Sequence, residues 1–166
     1  MRRFANLADA GRQLAETLVE QRADLDSVSD APLIVLAAIP NGVPVALPVA
    51  AALGVMAHAL PVERAEAGPV IGPLPAVEGA RVIVVDDGVE TGSVARAAAA
   101  AIRPLRPAAL ILAVPVCPHE ASADLGRRYD RIIAVERPFG RRALGWHFDD
   151  FDTIDPVRAM ALLSGS

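Results

Sequence analysis

Four short, mostly apolar runs, each set off by turn residues and separated by helix-like stretches, constrain this chain more than any other feature. They are LIVLAAI (33–39), VIVVD (82–86), ALILAVPV (109–116) and RIIAVE (131–136), and MAHALPV (56–62) supplies a fifth. Apolar runs without polar alternation belong to strands covered on both faces, the condition of a parallel sheet. The stretches between them read as helices. One spans about 7–22, opened by Asn6 and Asp9 and carrying Leu7, Leu14, Leu18 and Val19 at helical spacing; polar residues 24–32 then connect it to the first strand. A second follows the turn 40–44 and ends before Gly54, a third covers 93–105 up to Pro104 and Pro107, and a fourth spans about 118–128. Strand, helix, strand repeated in this way predicts an α/β fold. The expected architecture is an open, doubly wound, mainly parallel five-stranded sheet with helices on both faces. Residues 63–80, with three prolines and three glycines, read as a loop with at most a small hairpin around Val70, Ile71 and Leu74. Asp155 and Pro156 suit the cap and first position of a last helix.

A chain of 166 residues fits a single domain, 1–166, at roughly 100–200 residues per domain. The positive charges are 16 arginines with no lysine, against 20 acids, and no basic run exists to neutralise a phosphate backbone. Six aromatic residues are too few to pave a surface for single-stranded nucleic acid, so nucleic acid is not an expected partner. The stretch 44–62 approaches membrane-spanning length. Pro44, Pro48, Gly54, His58 and Pro61 interrupt it, and weakly apolar alanine fills much of the rest, so a buried helix and strand are expected instead. Cys117 is the single cysteine, which excludes an intrachain disulfide and fits a reducing, cytoplasmic compartment. His58 and His119 have no partners at metal-ligand spacing.

In open parallel sheets ligands gather at the carboxyl ends of the strands. Asp86 and Asp87 close the strongest strand, and two adjacent carboxylates can accept hydrogen bonds from the vicinal hydroxyls of a ribose. Gly88, Val89, Glu90, Thr91, Gly92 and Ser93 then offer backbone donors, two hydroxyls and a helix N-terminus, the elements of a phosphate site. Diol and phosphate on neighbouring atoms describe ribose 5-phosphate. A receiver-like phosphoacceptor or metal site is the competing reading of an acid pair. The Thr-Gly-Ser that follows and the absence of lysine speak against it.

The segment RVIVVDDGVETGSV (81–94) resembles the signature of the type I phosphoribosyltransferases: an apolar strand, two acids, a few variable residues, then Thr-Gly and a hydroxyl residue. FANLADAGRQLAETL (4–18) is similar to the first helix of a bacterial branch of predicted phosphoribosyltransferases. The resemblance implies a glycosyltransferase that binds phosphoribosyl pyrophosphate (PRPP) and transfers its ribose 5-phosphate to a nitrogenous base, releasing pyrophosphate. It implies Mg²⁺ held mainly through PRPP, with no metal bound directly by the protein. Asp86 and Asp87 would hold the ribose, Gly88, Val89, Thr91, Gly92 and Ser93 the 5-phosphate. Glu90 falls where purine-salvage members carry an acid that handles the base proton. AIPNGVPVA (38–46) sits at the family's pyrophosphate loop, so Asn41 and Gly42, with Arg64, would meet the leaving group, and a cis peptide would join Pro40 to Asn41. In GWHFDDF (145–151), Trp146 or Phe148 would stack on the base and Asp149 or Asp150 bond its edge; alternatively these aromatics close the core. Residues 63–80 replace the family's longer hood loop. That short segment and neutral Asn41 also suit a non-catalytic domain that binds PRPP or a nucleotide. A homodimer is the one self-assembly kept in view.

Overall fold

A computed structural model describes residues 3–165. Its elements run α1 (Leu7–Glu20), α2 (Arg22–Val28), β1 (Leu33–Ala38), α3 (Gly42–Leu53), β2 (Ala57–Leu60), β3 (Val62–Ala65) and β4 (Gly68–Ile71). They continue with β5 (Arg81–Val85), α4 (Ser93–Ile102), β6 (Ala109–Val116), α5 (His119–Arg128), β7 (Arg131–Glu136) and α6 (Pro156–Leu163). Five strands form one sheet in the order β2-β1-β5-β6-β7, every neighbouring pair parallel.

Alternate side chains of the central strands enter two separate cores. Val35, Ala37, Ile83, Val85, Ile111 and Ala113 pack beneath α1, α3 and α6, whereas Leu36, Val82, Val84, Leu110 and Leu112 pack beneath α4 and α5. Both faces of β5 are therefore dry, which is why its sequence is a continuous apolar run. The chain moves outward from β1 to β2 and then returns to place β5 on the other side of β1. The loops after β1 and β5 consequently diverge from neighbouring strand ends, and such a switch point is where a sheet of this kind opens a crevice.

Three local expectations are corrected. The polar stretch after α1 holds a short helix, α2, because Leu25 is buried and Asp26 pairs with Arg22 one turn back at 3.1 Å. One apolar anchor is too few to show a period. Residues 62–71 form a full antiparallel hairpin of β3 and β4 joined across Glu66 and Ala67, with Arg64 opposite Pro69, and β4 packs against α4. Leu74 lies beyond it. The cis peptide is Ile39–Pro40 rather than Pro40–Asn41, one bond earlier than the resemblance implied.

The C-terminal segment between β7 and α6 has no regular ladder. It is threaded beside the N-terminus instead: the Phe4 N–H donates to the His147 carbonyl (2.8 Å), Asp149 and Asp150 N–H donate to Phe4 and Ala5 (2.7 and 2.9 Å), and Leu7 N–H donates to the Asp152 carboxylate (2.9 Å). Among the described residues, no helix is long and apolar enough to cross a membrane.

Candidate active site

Asp86 is the first residue beyond β5, and its Oδ1 accepts the Asp87 N–H at 2.8 Å, so the pair leaves the strand in a fixed turn. Burial pushes the Asp86 carboxyl well above the usual carboxylate range, and the neighbouring Asp87 charge pushes the same way. Burial also raises Asp87, with the charge of Glu90 adding to it, while Arg64 pulls both acids back. Two crowded carboxyls in a crevice are a donor-poor site. Hydroxyl groups or a cation supplied by a ligand would satisfy them.

The chain then drops into a loop pinned to the next strand by a 2.8 Å bond from the Val89 N–H to the Val116 carbonyl. Gly92 precedes α4 with φ of 84°, a left-handed conformation that a residue with a Cβ adopts only under strain. Gly92 supplies no side-chain cap; the Ser93 N–H donates to the Thr91 hydroxyl at 3.4 Å, and the next N–H groups of the first turn are left to donate to an outside partner. Thr91 and Ser93 stand beside them, their hydroxyls 3.3 Å apart, and Arg96 Nη1 donates to the Thr91 carbonyl at 3.0 Å. Donors, hydroxyls and the positive end of a helix in one loop are the chemistry of anion binding.

Across the crevice, Asn41 begins α3. Its Oδ1 accepts the Ile154 N–H at 2.9 Å, which leaves the amide NH₂ as its remaining donor. Gly42 lies behind it, where a Cβ would come within 2.7 Å of the Val85 carbonyl; only glycine lets α3 start this close to the end of β5. Arg64, exposed on β3, makes no ion pair with a described residue and faces the same space. The cleft has two adjoining lobes of about 270 and 240 Å³, both bordered by Asn41, Arg64, Asp86 and Asp87. Residues 88–93 line the first lobe, and Pro40 and Pro156 the second.

Of the expected site residues, the structure brings together Asp86, Asp87, Gly88, Val89, Glu90, Thr91, Gly92, Ser93, Asn41 and Arg64. Glu90 is engaged there, its Oε1 accepting the Leu144 N–H at 2.7 Å. Trp146, Phe148 and Asp149 do not join the cleft. Trp146 lies under the Arg142 guanidinium at 4.3 Å, Phe148 is buried between Phe4 and Phe151 at 5.4 and 4.9 Å, and Asp149 pairs with Arg3 at 3.4 Å. The bridge of Phe148 to Phe4 sets this register, turning Phe148 inward. Leu144 and Phe151, which sequence reasoning missed, supply the wall instead. Nothing in their local sequence marks them; only contact with loops far back in the chain does. Among the described residues, no three His, Cys, Asp or Glu side chains are grouped to hold a metal ion by themselves. The acid pair nonetheless fits a cation that arrives with its own oxygen ligands, as Mg²⁺ does with phosphates.

No protein-family model matches the chain. The solved structure of TT1426 from Thermus thermophilus is similar over 98% of both chains, with 27% identity and a TM-score of 0.80. Hypoxanthine phosphoribosyltransferase from Trypanosoma cruzi, solved in complex with the product IMP, aligns over 79% of this chain and 77% of its own, with 19% identity and a TM-score of 0.61. Purine phosphoribosyltransferase from Pyrococcus horikoshii Ot3 covers 81% and 88%, with 19% identity and a TM-score of 0.56. The chain has the type I phosphoribosyltransferase fold. Within this fold, residues 81–94 form β5, the acid pair and the glycine-rich loop that leads into α4. The hairpin β3–β4 falls largely within the short segment 63–80 that was expected in place of a longer hood.

Proposed function

We propose that the protein is a phosphoribosyltransferase that binds PRPP and transfers its ribose 5-phosphate to a nitrogenous base with release of pyrophosphate. The observation that carries this reading is the continuity of the acid pair with the glycine-rich loop: Asp86 and Asp87 lead within six residues to the N-terminus of α4, in one cleft. Asp86 and Asp87 would take the ribose hydroxyls, and Gly88, Val89, Thr91, Gly92 and Ser93 the 5-phosphate. The amide of Asn41, the start of α3 at Gly42 and the Arg64 guanidinium would meet the pyrophosphate. Mg²⁺, carried mainly by PRPP oxygens, would neutralise charge on the leaving group. The protein's own work is positional and electrostatic: it fixes the sugar, fixes the phosphate and aims donors where charge collects. The single buried cysteine accords with a cytoplasmic setting.

A second reading, a non-catalytic PRPP- or nucleotide-binding domain, is favoured by one specific observation. The residues expected to handle the base lie outside the cleft or are already bonded: Trp146, Phe148 and Asp149 in the first case, Glu90 in the second. Calorimetric titration with PRPP and Mg²⁺, followed by a pyrophosphate-release screen over common bases, separates the two. Binding with release supports the transferase, binding without release supports the regulatory domain, and no binding removes both.

A further inference from the structure

Two of the residues expected to do chemistry share an unexpected geometry. Glu90, in the loop after β5, and Asn41, in the loop after β1, each present a side-chain oxygen to a backbone N–H of the C-terminal segment. Glu90 Oε1 accepts from Leu144 at 2.7 Å and Asn41 Oδ1 from Ile154 at 2.9 Å. These are the hydrogen bonds between that segment and the two ligand loops among the described residues. Nearer β7, Pro138 and Gly140 are tied to α5; within the stretch 144–154 the other ties, through His147, Phe148, Asp149, Asp150 and Asp152, run to residues 3–7 and hold only its middle.

We infer that Glu90 and Asn41 are positioning residues that clasp the two ends of the stretch 144–154 onto the ligand loops. Leu144 opens a short 3-10 turn, so its N–H has no acceptor within that turn, and Ile154 lies in non-helical backbone just ahead of α6. Each donor needs an acceptor from elsewhere, and each finds one in a loop that must itself be held for binding. Between the two clasped ends sits Phe151, which lines the cleft together with Leu144. Closing the clasps therefore sets the outer wall against the acid pair and anion loop. The role asks only for a carbonyl-type oxygen. Charge on Glu90 is dispensable for it, whereas proton transfer by Glu90 requires the carboxylate, and the two roles separate by substitution.

The inference deepens the PRPP reading and rests on it only for the ligand arm of the test. Amide hydrogen exchange of the ligand-free full chain is followed by NMR at Leu144 and Ile154, with Val84 in the central strand reporting global stability. Glu90→Ala should speed exchange at Leu144 about tenfold or more, the effect of losing one charge-assisted hydrogen bond, while Glu90→Gln should stay within about threefold of the parent. Asn41→Leu and Asn41→Asp should behave in the same way at Ile154. Unchanged exchange at Val84 marks the effect as local rather than a folding defect. In the second arm, Glu90→Ala weakens Mg²⁺–PRPP and Glu90→Gln restores it. Equal exchange in the Ala and Gln variants, or no change at Leu144 in either, overturns the clasp. So does a Gln variant that loses PRPP as fully as the Ala variant. A parent protein that fails to bind PRPP removes the ligand reading while the exchange result still decides the clasp.

Discussion

The loop after β5 and the loop after β1 leave neighbouring strands at the same end of the sheet, yet they are built in opposite ways. The first is held largely by its own residues, with Asp87 N–H on Asp86, the Thr91 and Ser93 hydroxyls on each other and Gly92 turning left-handed into α4, and its outside ties are Val89 to the adjacent strand and Glu90 to Leu144. The second is held by distant ones, since Asn41 takes its partner from Ile154 and Gly42 is pressed against the Val85 carbonyl. A self-held loop keeps its binding geometry when the rest of the site is altered. A loop held from afar changes with whatever holds it.

The most disruptive way to break this asymmetry is at Gly42. Gly42→Val forces a branched side chain into the 2.7 Å approach to the Val85 carbonyl and should cost about 3 kcal/mol of stability, read as a lowered urea midpoint. Phosphate should still protect the 88–93 loop in the folded fraction, because that loop does not depend on α3. Loss of phosphate binding in parallel with stability would show the two loops to be one unit.

Asp86→Asn comes next. By removing charge while keeping shape, it should weaken PRPP by about 1.5–3 kcal/mol and free phosphate much less. Stability should move the other way. Because burial and Asp87 raise Asp86 above its ordinary 3.8, the folded protein keeps a proton that the unfolded chain releases in the window just above that value. The associated stability is full below 3.8 and is lost as pH rises through the folded value. The Asn variant should flatten that fall and melt higher than the parent at neutral pH, as urea titrations across pH 4–8 would reveal.

Thr91→Val tests the self-held loop more gently. It removes a hydroxyl while keeping the volume, and should weaken PRPP by about 1–2 kcal/mol with little change in melting temperature. Calorimetry on the folded variant measures the first and thermal unfolding the second.

The smallest effect belongs to the C-terminal segment. His147 is buried with Nδ1 unpartnered, and burial lowers its pKa below the ordinary 6.5, with Arg142 and Arg3 adding to that and Glu136 opposing it. Below 6.5 the unfolded chain takes up a proton that the folded one resists, so stability should decline as pH falls from 7 toward 5. His147→Phe should reduce that decline by under about 1 kcal/mol, measured as the difference in urea midpoints at the two ends of the range.

The same contrast explains what could be read from the sequence. The five sheet strands, the helices other than α2, and the acid pair with its glycine-rich loop were legible because each is specified by adjacent residues: dry strands by unbroken apolar runs, the loop by a Gly-rich, hydroxyl-bearing turn into a helix. The hairpin was half legible, since its prolines and glycines suggested a loop while the pairing of Val62–Ala65 with Gly68–Ile71 depends on register. The cleft wall was not legible at all. Leu144 and Phe151 lie in a stretch whose bonds at Leu144 and Ile154 span 54 and 113 residues of chain, and no local pattern encodes a contact of that range. Trp146 and Phe148 carry the aromatic signal that a base platform would carry, but the pairing with Phe4 turns one into the core and Arg142 covers the other.

The threading of residues 147–150 beside Phe4 and Ala5 has a consequence in time. On the ribosome the chain grows from its N-terminus, so the strands and the 86–93 loop are finished while residues 144–155 are still to be made. A nascent chain at that stage owns an anion loop with no wall over it, and Phe4 waits without Phe148. A late stretch of this sequence joins an early one. Until it does, the crevice lacks its outer wall and the 86–93 loop stands open to solvent.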